Sequence, residues 1–303
     1  MKLSNIKEIY AGAIELIKDA EFDRPYLVGK PYNKDFRLIS FISDPKYMNA
    51  FLEYDIDGLI CTKAVYEEIK DQYNGGLLIA ENPKTAFFEA HNHIAKQSKN
   101  NQKTNIDETA YVDERAIIAS NNVSIGKHTV ICANVVIKEG VKIGDHCVIR
   151  EGCVIGTPAF YYYGEGKERK LVESTGSVII GSNVELHANV VVEKGVMFGN
   201  TYIGDNTKVD HSSVIGHDTQ IQKGCTIAAI TVAAGGTKID KNTFVGVGVS
   251  IAPNVSIGSS AKLSAGAIVT KDVKAGERVS GNFAIPHNQF IQHIKNISGG
   301  GVL

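Results

Sequence analysis

Residues 125–155 read IGKHTVICANVVIKEGVKIGDHCVIREGCVI, with isoleucine at 125, 131, 137, 143, 149 and 155. An aliphatic at every sixth residue matches neither an α-helix, whose faces repeat at about 3.6, nor a sandwich strand, whose faces alternate at two. Each hexad is instead a short strand closed by a turn. Three hexads make a triangular coil of about 18 residues, whose inward aliphatics stack on those of the next coil and bury one continuous core. Outward from this stretch the series resumes at Ile180, Leu186 and Val192 and slips by one residue near Met197 to Thr201. It then runs from Ile203 through Val209, Ile215, Ile221, Ile227, Ala233, Ile239, Val245, Ile251, Ile257, Leu263 and Val269. The residue after the aliphatic is often glycine (126, 144, 156, 181, 204, 216, 246, 258), which predicts a turn position that tolerates positive φ.

The fold class is therefore mainly β: a parallel β-helix over 104–275, preceded by a small α/β domain over 1–103 and followed by a tail over 276–303. One loop, residues 157–176 (TPAFYYYGEGKERKLVESTG), breaks the prism. Its four aromatics, Phe160, Tyr161, Tyr162 and Tyr163, cannot fit inside a narrow coil, so the loop is expected to project and to pack on a neighbouring subunit, over a groove between copies. A closed homotrimer follows from the flat faces of such a prism. Before residue 103 the hexad is absent. Ile6, Ile9, Tyr10, Ala13, Ile14 and Ile17 have helical spacing; LISFIS, GLICT and LLIAE read as short buried strands; TAFFEAHNHIA reads as a second helix. AKQSKNNQKTN is polar and reads as a linker, and the glycine-rich end of the chain as frayed.

A net charge of −1 over 303 residues offers no broad basic field for a nucleic-acid backbone or an anionic bilayer. The charged N-terminus lacks the apolar stretch of a signal peptide and no run spans a bilayer, so a cytoplasmic protein with no membrane insertion is expected. The five cysteines (61, 132, 147, 153, 225) form no CxxC pair and read as buried free thiols.

Several segments, in order, resemble the UDP-3-O-acylglucosamine N-acyltransferases of the lipid A pathway. They are SFISDPKY, DGLICT and LLIAENPKTAFFEA before the repeat, then GTPAFYYY through GSVIIGSNVEL, KVDHSSVIGHDTQI and SGNFAIP. The resemblance covers nearly the whole chain. It implies a left-handed β-helix, a nucleotide-linked amino sugar as acceptor, and a thioester co-substrate, acyl-CoA or acyl carrier protein, with no permanently bound cofactor. Only about fifteen residues follow Pro286, and Val247 to Pro253 lacks the second histidine usual in that family. Both departures favour an acyl-CoA donor and a UDP- or dTDP-linked amino sugar of surface glycans, with lipid A-type transfer from acyl carrier protein as the alternative.

Thioester aminolysis needs a base that takes the proton of the amine. His211 and His217 lie one hexad apart in VDHSSVIGHD, on neighbouring corners of a coil, and are not expected to share a site. His217 is favoured. It matches the family's catalytic histidine, Asp218 beside it can orient the ring, and Gly235 lies one coil later, where the resemblance implies an oxyanion hole. His211 remains open, because VDHSSVIG also resembles VEHDCVIG of sugar N-acetyltransferases; Asp210 could orient either imidazole or bind the amine. His187, His128 and His146 read as solvated corner residues. Phe41 and Tyr47, flanking a turn at Asp44-Pro45, are placed to sandwich a pyrimidine, which the resemblance makes uracil. No metal site is expected. A γ-class carbonic anhydrase would need a third histidine that the spacing does not supply. A fused nucleotidyltransferase would need a far larger N-terminal domain, and a scaffold would not need His217 over Gly235.

Overall fold

The computed structural model describes residues 1–29, 35–97, 102–281 and 284–297. The chain forms a left-handed parallel β-helix whose strands make three parallel sheets of nine, eight and eight strands, one per side of the prism. Val130 pairs with Val148 and Thr226 with Phe244, each one coil on. The hexad aliphatics fill the axis: Ile131, Ile149, Ile155, Ile203, Ile215 and Ile239 are all fully buried. Each such side chain contributes about 1.5–3 kcal/mol relative to exposure. A second inward position lies two residues before each aliphatic and holds small side chains, among them Cys147, Cys153, Thr207, Ser213, Thr219, Cys225 and Thr231. The buried hydroxyls there are satisfied by the carbonyls of the following coil: Thr129 donates to Gly144 O at 2.8 Å and Thr243 to Gly258 O at 3.1 Å. This position accounts for three of the cysteines, and all five are free. Burial pushes the Cys153 thiol up to about 11, so it is a packing group rather than a nucleophile.

The glycines after the aliphatic serve a different purpose from the one their position suggested. Of the eight, only Gly156 has positive φ; the left-handed residue is two places further on, for example His128, His146, Asn183, Asn206, Asp218 and Ser260. Glycine is required earlier because the coils approach too closely for a side chain. A Cβ at Gly204 would lie 2.6 Å from Lys223 N, and one at Gly258 would lie 2.4 Å from Ala275 N.

The N-terminal domain carries a five-stranded sheet in the order β1 (Ile14–Lys18), β5 (Gly76–Ala80), β4 (Gly58–Cys61), β3 (Leu38–Ile42), β2 (Arg24–Pro25). Helices α1 (Met48–Leu52), α2 (Lys63–Ile69) and α3 (Pro83–Gln97) supply the apolar groups that bury it. The expected first helix is absent. Leu3–Glu8 is a 3-10 helix, and Ile14–Lys18 is an edge strand antiparallel to β5. The glycine at 12 ends the helical run, and backbone pairing with β5 overrides the spacing of Ile14 and Ile17.

Both interruptions of the hexad series dock on this domain. The 157–176 loop lies on α3 of its own chain, a contact that the sequence reading did not anticipate. Tyr163 stacks on Phe88 at 5.4 Å, Glu173 N–H donates to Asn92 Oδ1 at 2.8 Å, and His91 Nε2 donates to Glu173 O at 2.7 Å. The slip near Met197 is a second excursion, whose Val196 is buried in the same cluster and whose Phe198 contacts His91 at 5.7 Å. Past residue 275, Arg278–Val279 adds a strand beside Lys262–Leu263, and α4 (His287–Ile297) follows. The glycine-rich end and residues 98–101 of the central linker lie outside the described residues.

Candidate active site

His217 leaves the prism at the corner after the strand Val214–Ile215. Its neighbour Asp218 takes the left-handed conformation at φ 58°, which a short polar side chain tolerates better than most. That turn brings the carboxylate back onto the ring: His217 Nδ1 lies 2.9 Å from Asp218 Oδ2. The backbone N–H of His217 donates to Glu193 Oε2 at 3.0 Å, and that of Asp218 to Thr201 Oγ1 at 2.9 Å. The side chain is 19% exposed. With Nδ1–H donated to an anionic carboxylate, the lone pair resides on Nε2.

Nε2 points to Gly235. A Cβ there would sit 2.3 Å from Nε2 and 2.5 Å from Cε1, so only glycine fits beneath the ring as it stands. Gly235 O accepts from Asn254 N–H at 3.1 Å, and Gly236 N–H donates to His217 O at 2.8 Å. Among the described residues the N–H of Gly235 itself has no acceptor. An imidazole nitrogen with a free lone pair therefore faces a backbone with an unspent donor, the first able to take a proton and the second able to hold an oxyanion.

His217 is walled by the aromatic loop. Tyr161 meets the His217 ring edge-on at 5.7 Å between centroids, and burial together with the Asp218 carboxylate pushes its phenol up, so it stays neutral. Tyr161 in turn touches Phe88 at 5.9 Å, and Phe88 touches Phe41 at 6.1 Å. A line of rings thus joins the base to the residue expected at a nucleotide. The other loop aromatics separate: Tyr163 is a core residue at 2% exposure, whereas Phe160 and Tyr162 face outward against each other at 5.1 Å.

The remaining expected residues fall elsewhere. Asp44 caps the turn Pro45–Tyr47 by accepting from Lys46 N–H at 3.0 Å and pairs with Lys46 Nζ at 2.9 Å. Tyr47 is exposed under Lys46, and Phe41 leans on Phe87 at 4.9 Å. His211 and Asp210 bond each other at 2.5 Å on the preceding corner, where His187 joins them at 4.9 Å between rings. Glu193 and Tyr161 were not singled out as partners of His217 by the sequence: Tyr161 lies in the 157–176 loop, and Glu193, at the end of the strand Val191–Glu193, is separated from His217 by the slip near Met197.

Known proteins similar to this chain are acyltransferases. The family description "Bacterial transferase hexapeptide (six repeats)" matches residues 122–157 and 200–231, and "Hexapeptide repeat of succinyl-transferase" matches 236–271. A UDP-3-O-acylglucosamine N-acyltransferase of Herminiimonas arsenicoxydans is 26% identical over 279 residues, covering 82% of this chain and 79% of that protein. One from Polynucleobacter asymbioticus is 28% identical over 220 residues, covering 59% of this chain and 61% of its own length. Among solved structures, the UDP-N-acetylglucosamine acyltransferase from Campylobacter jejuni superposes with a TM-score of 0.50 at 21% identity, covering 59% of this chain and 70% of that one. This last likeness concerns the fold alone.

Proposed function

We propose that the chain transfers an acyl group from a thioester to the amine of a UDP-linked 3-O-acylglucosamine, with His217 as general base. The chain is an acyltransferase, as its repeats and its relatives indicate, and the amine acceptor is the one in the names of the relatives above. That resemblance supports UDP-3-O-acylglucosamine over the broader set of UDP- or dTDP-amino sugars that the sequence left open. The single observation that carries the chemistry is His217 Nε2 facing Gly235 while Nδ1 is held by Asp218.

The neutral amine attacks the thioester carbonyl, forming the C–N bond and placing negative charge on the carbonyl oxygen. Gly235 N–H donates to that oxyanion. Nε2 takes the amine proton, and Asp218 stabilises the imidazolium. Collapse of the intermediate breaks the C–S bond, and the thiolate leaves with the proton from Nε2, which returns the base to its starting state. The ring line from Tyr161 to Phe41 supports uridine stacking at Phe41 and Tyr47, with the sugar reaching back to His217.

A homotrimer completes this reading. Ile230, Val232, Val247 and Ile268 are 63%, 41%, 51% and 67% exposed, on the face and leading corner of the sheet that ends at His217. Covering them with a second copy would close a crevice beside the base. The test is a mass-spectrometric assay of amide formation on UDP-3-O-acylglucosamine, with acyl carrier protein and CoA thioesters as donors. His217→Ala and Gly235→Ala are each expected to lower kcat by about 10²-fold or more with nucleotide-sugar binding retained. Full transfer by His217→Ala would remove the assignment.

A further inference from the structure

We propose that His187, Asp210 and His211 form a divalent transition-metal site of the zinc class, which clips two successive coils together at the corner before the acyl-transfer centre. The sequence reading assigned no metal, because His187 is remote from the pair in the chain. Parallel register removes the distance: Leu186 pairs with Val209, which sets His187 over Asp210. One ligand atom from each of the three lies within 4.8 Å of the others. Two imidazoles and one carboxylate are the donor set of zinc and its first-row neighbours, and their half-exposed position leaves room for water to complete the coordination.

The surroundings orient these donors. His187 Nε2 lies 3.5 Å from Glu185 Oε1, while Nδ1 faces Asp210 Oδ1 at 3.9 Å. A carboxylate behind one ring nitrogen fixes the tautomer that leaves the other free to ligate. Glu185 is held by Arg150 at 2.8 Å, and Lys208, which donates to Asn183 O at 3.1 Å, lies 3.8 Å from its other oxygen. Asp210 accepts the backbone N–H of His211 at 2.8 Å, which helps to fix the carboxylate in place. His211 Nδ1 and Asp210 Oδ1 hydrogen-bond at 2.5 Å, closer than two ligand atoms of one zinc, so an ion replaces this bond: with the proton moved to Nε2, the two atoms separate to about 3.3 Å around it.

The experiment titrates the EDTA-treated chain with Co²⁺ as a spectroscopic probe and with Zn²⁺ in thermal unfolding. Expected are a saturable one-to-one Co²⁺ absorption with a Kd of about 10 µM or tighter, and a Zn²⁺-dependent rise in the unfolding midpoint. Mg²⁺, a hard cation, is expected to give neither. His187→Ala and His211→Ala should each abolish both signals, while His187→Ala, still folded by circular dichroism, keeps its acyl transfer. Weaker Co²⁺ binding, or binding that survives either substitution, overturns the site. Neither result bears on the role of His217, which is read separately by amide formation.

Discussion

His217 is held at its ring by Asp218, at its backbone by Glu193 and along one edge by Tyr161, which leaves Nε2 as the free end. Asp218→Asn separates geometry from chemistry, because Asn also tolerates the left-handed conformation at φ 58° but can donate to Nδ1 and move the proton to Nε2. We expect kcat to fall by about 10²-fold or more with an unchanged thermal midpoint, by analogy with carboxylate-to-amide changes behind other catalytic histidines. Retained kcat would remove Asp218 from the mechanism. His217, Asp218 and Gly235 were legible from sequence because a strict period stacks any residue on the one a coil later. Glu193 and Tyr161 were not, since the interruptions break that count and only coordinates show where they return.

Corner glycines and the loop dock act through whole elements. Gly204→Ala places a Cβ 2.6 Å from the backbone N of Lys223, which cannot swing aside. It should cost about 1–3 kcal/mol in urea denaturation, and an unchanged midpoint would show that neighbouring coils can spread. The loop dock carries a pH dependence. His91 is buried, donates from Nε2 to Glu173 O at 2.7 Å, and has no partner for Nδ1 among the described residues. Burial lowers its affinity for a proton below that of the unfolded chain, where histidine titrates near about 6.5. Acidification therefore favours the unfolded form: the contribution is full above that value and is lost as pH falls toward the lower folded one. His91→Gln keeps a donor but does not titrate, so the drop in thermal midpoint on moving from about pH 7.5 to about pH 5.5 should shrink in the variant. An equal drop would place the dependence elsewhere. The sequence showed α3 and the three buried strands, where apolar runs decide, and failed at Ile14–Lys18, where an edge strand uses backbone pairing that side-chain spacing does not reveal.

At the scale of the molecule, both interruptions of the prism serve to seat the N-terminal domain beside His217, and the exposed aliphatics at Val232 and Ile268 form the face on which the proposed trimer would pack. Val232→Asp combined with Ile268→Asp should give a monomer in analytical ultracentrifugation, with β content intact and transfer lost; an unchanged assembly would locate the interface on another face. The repeat was readable from the amino acids, whereas its final strand at Arg278–Val279 and the seat of the loop were not, because packing between distant segments leaves no periodic mark. The in-register pairing of the coils has one more consequence. Each coil raises the chain by about 4.8 Å, so the prism is graduated like a ruler, with the stem of the aromatic loop and His217 fixed two marks apart. Duplicating a single coil between residues 203 and 215 would re-index the base by one graduation and leave Tyr161 behind, turning the separation of two functional groups into an integer that can be set by the number of repeats.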